Sequence, residues 1–160
     1  MIIVVGGIKG GTGKTTIATN LTVIRSSIGK KVLLVDADEQ RSTSIWANQR
    51  DGLNIPTNWS TIQLAGKALR SQLERMKKDY DDIIIDVGGR ETTSLRAAIS
   101  VADKFIIPFK PRSFDVWTLS DVKALINEML PANQNLVCFS VINQADAKGS
   151  DNDDALNILK

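Results

Sequence analysis

Residues 9–16 read Lys-Gly-Gly-Thr-Gly-Lys-Thr-Thr and lie between an apolar run and a helical pattern. The apolar run, Ile2 to Val5, is typical of a strand buried inside a parallel sheet. Isoleucine and leucine then recur at helical spacing at positions 17, 21, 24 and 28, which places the glycines at a strand-to-helix turn. Such a turn points consecutive backbone N–H groups at one anion, and the helix N-terminus adds its positive dipole end. The stretch therefore predicts a phosphate-binding loop.

Two side chains give this loop its expected chemistry. Lys14 can reach the β- and γ-phosphates of a nucleotide, and the Thr15 hydroxyl can bind Mg²⁺. Thr15 could instead cap the helix, but its place directly after Lys14 favours the metal role. The loop also departs from the usual pattern, because Ile8 stands where the first glycine is expected and a second lysine, Lys9, follows it.

Two further motifs end apolar strands in the same way. Residues 36–40 read Asp-Ala-Asp-Glu-Gln, and residues 83–89 read Ile-Ile-Ile-Asp-Val-Gly-Gly. With the loop, these motifs resemble the deviant Walker A ATPases of the ParA/MinD family, whose loop carries a signature lysine and whose switch I and Walker B/switch II follow in this order. The stretch Ser42 to Trp46, with Pro108 and Pro111, is most similar to the ParF-like plasmid-partition branch.

The order of predicted elements gives the fold class. Strands alternate with amphipathic helices, so we expect an α/β protein of the P-loop NTPase type: a three-layer sandwich whose mainly parallel sheet carries helices on both faces. The strands are predicted at 2–6, 31–36, 61–64, 82–86, 105–108 and 136–142, and the helices near 14–28, 41–50, 69–76, 95–102 and 122–130 and from 153 onward. Ligands of such sheets bind beyond the carboxyl ends of the strands, where the motifs fall.

The family resemblance implies a function. It implies a Mg²⁺-dependent ATPase of plasmid or chromosome partition, with ATP and Mg²⁺ as cofactors and with weak hydrolysis in the absence of its partner. ATP would join two copies into a sandwich homodimer that binds DNA non-specifically. A ParB-like adaptor protein would then stimulate hydrolysis and release the dimer from DNA.

The resemblance also implies roles for two residues outside the core of the loop motif. In the family the signature lysine reaches across the ATP-bound dimer to the partner's phosphates, which gives this role to Lys9. Asp38 matches the switch I aspartate that positions the attacking water, although a turn residue that caps the next helix is the other reading. The chain has no histidine, so a protein-derived base at neutral pH would have to be a carboxylate, a lysine or the backbone.

Carboxylates end two of the predicted strands. Asp36 and Asp86 each follow apolar residues, where an unpaired buried carboxylate would be costly. A nearby Mg²⁺ with its waters would relieve that cost, so we predict that both aspartates belong to the metal site. Gly88 and Gly89 follow Asp86 and permit either a backbone shift on nucleotide binding or an ordinary turn.

The segment after the last predicted strand is similar to a base-recognition loop. It reads Asn143 to Asp146, although Asn and Asp are also common turn residues. We therefore predict catalytic roles for Lys9, Lys14 and Asp38, metal-site roles for Thr15, Asp36 and Asp86, and nucleotide contacts for Lys9, Gly10, Gly11, Thr12, Gly13, Lys14, Thr15, Thr16, Asn143 and Asp146.

The tryptophans and the basic residues near the strand ends each have two possible roles. The tryptophans could stack on bases or on a partner, but packing against the helices is favoured. The basic residues near the strand ends form either a solvated rim or a surface that faces DNA. The tryptophans are Trp46, Trp59 and Trp117, and the basic residues are Arg90, Arg96, Lys104, Lys110 and Arg112.

Composition sets the remaining limits. The chain has 160 residues, 42% of them hydrophobic, enough for one globular core, so we expect a single ParA-like domain over 1–160. A net charge of +2 permits a nucleic-acid partner without requiring one. The single cysteine, Cys138, lies in an apolar run and is predicted to be a core thiol. One cysteine excludes an intramolecular disulfide and a thiolate-rich metal site, and it counts against the similar nitrogenase iron proteins, which need two cluster cysteines per subunit.

Targeting features are absent from the sequence. There is no basic n-region, and no apolar run approaches the length of a membrane span, so we expect a cytoplasmic, nucleoid-associated protein without a membrane partner. A MinD-like spatial regulator would need a C-terminal amphipathic helix, and residues 152–160 are too short and too acidic for one. An ATP-dependent filament-forming scaffold remains open, and a metabolic ATP-dependent ligase is a weaker candidate.

The end of the chain suggests that C-terminal elements are missing. The last predicted helix has no strand after it, and Leu156 and Leu159 would lie partly exposed. We therefore expect that the natural protein extends past Lys160 and that the extension contributes to base recognition and DNA contact.

Overall fold

The computed structural model describes residues 1–111, 118–145, 147 and 151–159, with Leu159 described by its backbone alone. Strands and helices alternate through these residues, as the sequence predicts. In chain order they are β1 (Ile2–Val5), α1 (Lys14–Ser27), β2 (Val32–Asp36), α2 (Ser42–Gly52), β3 (Trp59–Gln63), α3 (Ala68–Met76), β4 (Asp82–Asp86), α4 (Thr93–Ile99), β5 (Lys104–Phe109), α5 (Leu119–Met129), β6 (Val137–Ile142) and α6 (Asp151–Leu159).

The six strands form one parallel sheet in the order β3-β2-β4-β1-β5-β6. The chain leaves β1 toward one edge of the sheet, reaching β2 and β3, and later moves from β4 across β1 toward the other edge. All strands run the same way, so the segments that follow β1, β2 and β4 meet at one edge. This topology confirms the predicted fold class.

Apolar residues cover both faces of the sheet. One face packs against α3, α4 and α5, with buried Leu73, Ile99 and Leu125 representing the three helices. The opposite face packs against α1 and α2 around Val5, Leu34 and their neighbours. The central strands β1, β2 and β4 are buried along their whole length, as in parallel sheets covered on both sides.

The prediction of a helix after the loop is confirmed, but only part of its apolar stripe is packed: Ile17 and Leu21 are partly buried against the core. Ile24 and the C-cap residue Ile28 are 58% and 62% exposed. The buried positions of α1 are Lys14, Ala18, Thr19, Thr22 and Ser26. Lys14 and Thr15 must face the carboxyl edge, which fixes the rotation of the helix. Small side chains then meet the sheet, and Thr22 satisfies its hydroxyl by donating to the Ala18 carbonyl.

The prediction that Cys138 is a core thiol is wrong. Cys138 is exposed, and so is Phe139 beside it, with 42% of its surface accessible. The reason is the position of β6, which pairs with β5 and has no strand on its other side among the described residues. An apolar run alone does not distinguish a central strand from a strand at the edge of a sheet.

The tryptophans follow the packing interpretation where they are described. Trp46 on α2 and Trp59 on β3 stack with their ring centroids 5.8 Å apart, and both pack against the core beneath α1. The Arg50 guanidinium lies over both rings. Trp117 lies outside the described residues.

Several element boundaries differ from the prediction by two or three residues, among them both ends of α4 and the start of α5. β3 begins at Trp59 where the sequence predicts a strand from 61, and α6 begins at Asp151 where it predicts a helix from 153. Leu156 on α6 is 47% exposed. None of the described helices is both long and apolar enough to cross a membrane.

Candidate functional site

The predicted motifs meet at the carboxyl edge of the sheet around one cavity of about 1180 Å³. The loop after β1, the segment after β2 and the segment after β4 form its walls, and Gln144 after β6 contributes from the side. Lys14, Thr15, Asp38 and Gly89 are among the lining residues. Ala65 and Gly66 after β3 also line it. Five segments that are far apart in sequence therefore share a single space large enough for a nucleotide.

The loop between β1 and α1 has the backbone of an anion cradle. Gly13 caps α1 with φ of 88°, and Gly11 has φ of 74°, a left-handed conformation that glycine adopts without strain. The first turn of α1 carries no acidic residue. The positive end of the helix dipole therefore faces the cavity without a carboxylate of its own helix to neutralise it.

Lys14 is buried at the start of α1. Its Nζ donates to the Lys9 carbonyl at 2.7 Å. Burial lowers the pKa of Lys14, and the carboxylates of Asp86 and Asp38 act in the opposite direction. The ammonium group thus lies between the loop backbone and the carboxylates, where a phosphate would meet it.

Asp36 and Asp86 lie side by side, because they are aligned at the ends of the neighbouring strands β2 and β4. Both carboxylates are buried. Oδ2 of Asp86 accepts hydrogen bonds from the hydroxyls of Thr15 and Thr43, each at 2.7 Å. Burial raises the pKa of Asp86 to about 6; the two hydroxyl bonds oppose the shift, and the nearby carboxylates Asp36 and Asp38 reinforce it.

Asp36 is satisfied by the chain itself. Its Oδ2 accepts from the Ser44 backbone N–H at 2.7 Å and from the Ser44 hydroxyl at 2.6 Å. Its Oδ1 accepts from the Asp38 N–H at 3.2 Å. Neither Asp36 nor Asp86 is therefore unpaired in the absence of a metal, contrary to the expectation from the sequence.

The sequence argument missed Thr43 and Ser44, which supply these bonds. Both are buried at the start of α2, immediately after the Asp-x-Asp motif. Hydroxyl residues at a helix start are usually interpreted as caps, but the N-cap of α2 is Arg41, with φ of 55° and no side-chain cap bond. The sequence signal that could have identified them is the run Ser-Thr-Ser at 42–44, which closely follows the strand that ends in Asp36.

The donor set fits Mg²⁺ together with a phosphate ligand. Mg²⁺ prefers oxygen ligands and is commonly bound through one or two carboxylates with waters and substrate phosphates. The Thr15 hydroxyl and the Asp86 carboxylate are in contact, and Asp36 lies beside Asp86. Lys14 and the loop backbone supply the positive side of the same site.

Gly88 and Gly89 have little space around them. A methyl group added at Gly88 would lie 2.9 Å from Oδ1 of Asp38, and one added at Gly89 would lie 2.6 Å from the Gly10 α-carbon. Close approach to backbone atoms, rather than an unusual φ, requires glycine at position 89, whereas a methyl group at position 88 would displace the Asp38 carboxylate. The segment after β4 is therefore packed against both the phosphate loop and the Asp38 segment.

The amides of Asn143 and Gln144 hold the phosphate loop. Asn143 Nδ2 donates to the Thr12 carbonyl at 2.8 Å, and Gln144 Nε2 donates to the Gly11 carbonyl at 3.2 Å. A base contact by Asn143 stays a prediction, with Oδ1 as the atom not engaged in the Thr12 bond. Asp146 lies outside the described residues.

Six of the described predicted residues do not line the main cavity: Lys9, Thr12, Thr16, Asp36, Asp86 and Asn143. Lys9 and Thr12 border a much smaller space on the other side of the loop, together with Pro108. Thr16 is exposed on the first turn of α1, and its carbonyl accepts from the Asn20 amide at 2.8 Å. The structure thus groups Lys14, Thr15 and Asp38 around the cavity, with Asp86 hydrogen-bonded to Thr15, whereas Lys9 is not among the residues that line it.

Comparison with known proteins also indicates a nucleotide-binding domain. A family model described as the CobQ/CobB/MinD/ParA nucleotide binding domain matches residues 3–159. The chain is 28% identical over 142 residues to Protein ParA from Rhizobium radiobacter, which covers 88% of this chain and 63% of the relative. It is also 31% identical over 127 residues to maintenance of carboxysome distribution protein A from Gloeobacter kilaueensis. That alignment covers 78% of this chain and 55% of the relative.

The solved structures agree at the level of the fold. A plasmid partition protein from Borrelia burgdorferi superposes with a TM-score of 0.77 at 23% identity, over 95% of this chain and 82% of that chain. The chain thus spans less than two thirds of the two relatives above and most of this solved structure.

The contact between Gly89 and the loop yields a prediction. Gly89→Ala places a methyl group against the Gly10 backbone, and overpacking of this kind costs about 1–3 kcal/mol. The loop must shift, so affinity for Mg-ADP measured by calorimetry should fall by about fivefold or more. The control is Gly52→Ala, since a methyl group there meets nothing within 4 Å. Equal affinity of the two variants would contradict the packing described.

Proposed function

The chain belongs to the CobQ/CobB/MinD/ParA family of nucleotide-binding domains, and from that premise we propose that it is a Mg²⁺-dependent ATPase of plasmid or chromosome partition. The observation that carries the proposal is the meeting of the phosphate loop and Asp38 around one cavity, with the buried Asp86 hydrogen-bonded to Thr15 in the cavity wall. The proposal treats residues 1–160 as a single ATPase domain.

The proposed reaction is in-line attack of water on the γ-phosphate, which gives ADP and phosphate. Lys14 and the loop N–H groups would stabilise the charge on the phosphates. Asp38 would accept a hydrogen bond from the attacking water and orient it. Mg²⁺, when bound beside Thr15, neutralises phosphate charge. Asp36 and Asp86 would hold that side of the site in place.

The proposed active form is a homodimer. Lys9 lies at the entrance of the phosphate loop, and its carbonyl accepts from Lys14 Nζ. This position fits a residue whose side chain makes its phosphate contact across an interface. In the proposal, ATP joins two copies, and Lys9 of the partner subunit completes each site. Lys9 and Asp38 then have different roles, one in assembly and one in water placement.

The proposed partners are DNA and a ParB-like adaptor protein. The basic surface for DNA is smaller than the sequence suggests, because Arg96 is paired with Glu91 and Glu128. Arg90 lines the nucleotide cavity, and Lys110 lies near Gly11 at its edge. Arg112 lies outside the described residues. Non-specific binding through phosphate contacts would place the ATP-bound dimer on the nucleoid, in the cytoplasm, until the adaptor stimulates hydrolysis.

The division of labour between Lys9 and Asp38 can be tested with two alanine variants. Lys9→Ala should keep ADP binding by the monomer but lose ATP-driven dimerisation and turnover, because a phosphate contact across the interface is removed. Asp38→Ala should keep the ATP-bound dimer and lose hydrolysis, because only the placement of water changes. Sedimentation in the presence of ATP would measure dimerisation, and an assay of released phosphate would measure hydrolysis. Identical behaviour of the two variants would reject the proposed roles.

The DNA-binding step gives a second test. Binding to unrelated duplexes should require ATP, be absent with ADP, and weaken steeply between two salt concentrations, since each phosphate contact releases a counterion. Lys14→Ala, which removes the phosphate-binding charge, should bind DNA in none of these states. Binding that depends on sequence, or that is equal with ATP and ADP, would count against the partition role.

A further inference from the structure

The Thr43 hydroxyl contacts the metal site from outside the predicted motifs. Thr43 is fully buried on the first turn of α2, and its Oγ1 donates to Oδ2 of Asp86 at 2.7 Å. The same oxygen accepts from Thr15, the residue expected to bind Mg²⁺. One carboxylate oxygen thus connects the start of α1 to the start of α2.

The neighbouring residue makes the equivalent contact to the other carboxylate. Ser44 donates from its backbone and from its hydroxyl to Oδ2 of Asp36. Asp36 and Asp86 are aligned on adjacent strands, so two buried like charges lie next to each other. Such a pair is stable as carboxylates only when donors compensate for lost water and mutual repulsion. Thr43 and Ser44 supply donors from one turn of helix.

We propose that Thr43 is a positioning residue for the Mg²⁺ site: its hydroxyl holds the Asp86 carboxylate in the orientation that the Mg²⁺-bound nucleotide requires. This inference rests on the proposed function. Groups that hydrogen-bond to the side chains at a metal site orient them, and their loss typically weakens metal binding by about 10–100-fold.

The hydrogen bond between Thr43 and Asp86 also affects the segment that carries Asp38. Asp38 and Thr43 are joined by a short segment that passes through Arg41, whose φ is 55°. Asp38 is also held by its own N–H bond to Asp36. The Asp86–Thr43 and Asp36–Ser44 bonds fix the α2 end of the segment that presents Asp38 to the cavity, and the Asp38 N–H bond to Asp36 fixes its β2 end.

The test removes the hydroxyl and keeps the shape. In Thr43→Val, affinity for ADP measured by calorimetry without Mg²⁺, in EDTA, should stay within about twofold of wild type. The gain in ADP affinity on adding Mg²⁺ should shrink by about tenfold or more. Thr43→Ser retains a hydroxyl and should recover most of that gain.

The matched control is Thr22→Val. Thr22 is equally buried, but its hydroxyl donates within α1 to the Ala18 carbonyl, away from the carboxylates. This variant should retain the full Mg²⁺-dependent gain. Thermal unfolding without nucleotide verifies that each variant is folded, and Thr43→Ala removes the same hydroxyl if the valine variant does not fold.

The outcomes separate the inference from the proposed function. An unchanged Mg²⁺-dependent gain in Thr43→Val, or an equal loss of ADP affinity with and without Mg²⁺, would overturn the positioning role while leaving the ATPase assignment intact. Failure of the wild-type chain to gain ADP affinity from Mg²⁺ would overturn the proposed function itself, and the inference with it.

Discussion

Two buried carboxylates, Asp36 and Asp86, lie side by side at the ends of β2 and β4, and the arrangement of the site follows from this constraint. Like charges in a buried position need donors, and the backbone of a parallel strand end supplies few. Thr15 on α1 and the Thr43–Ser44 pair on α2 provide them. Both helices on this face of the sheet are thereby positioned by the carboxylates, and the phosphate loop and the Asp38 segment are positioned by the helices.

The rotation of α1 illustrates how the site influences packing. Ile17 and Leu21 of the apolar stripe are only partly buried and Ile24 and Ile28 are exposed, whereas the buried positions of the helix carry mainly alanine, threonine and serine. Threonine side chains on that face bond to their own helix backbone, so their polar groups cause no uncompensated burial. The chain keeps Lys14 and Thr15 aimed at the carboxyl edge at the expense of apolar contact.

The sequence predicted the parts of this molecule that depend on local order. The loop, the Asp-x-Asp segment and the Asp86 strand end were recognisable because each joins a periodic apolar pattern to residues of distinct chemistry. Thr43 and Ser44 were not, because their role depends on the lateral order of β2 and β4, which no local pattern specifies. Cys138 was misplaced for the same reason, since an edge strand and a central strand can have equally apolar sequences.

The central claim is that the carboxyl edge binds a nucleotide through Lys14, and calorimetry with Mg-ATP tests it most directly. The wild-type chain should bind with saturation, and Lys14→Ala should lose about 10–100-fold in affinity, the usual effect of removing a charged hydrogen-bond donor to phosphate. Lys30→Ala, which removes an exposed lysine before β2 at the opposite edge of the sheet, should bind as wild type does. Equal affinity of the wild type and Lys14→Ala would contradict the account.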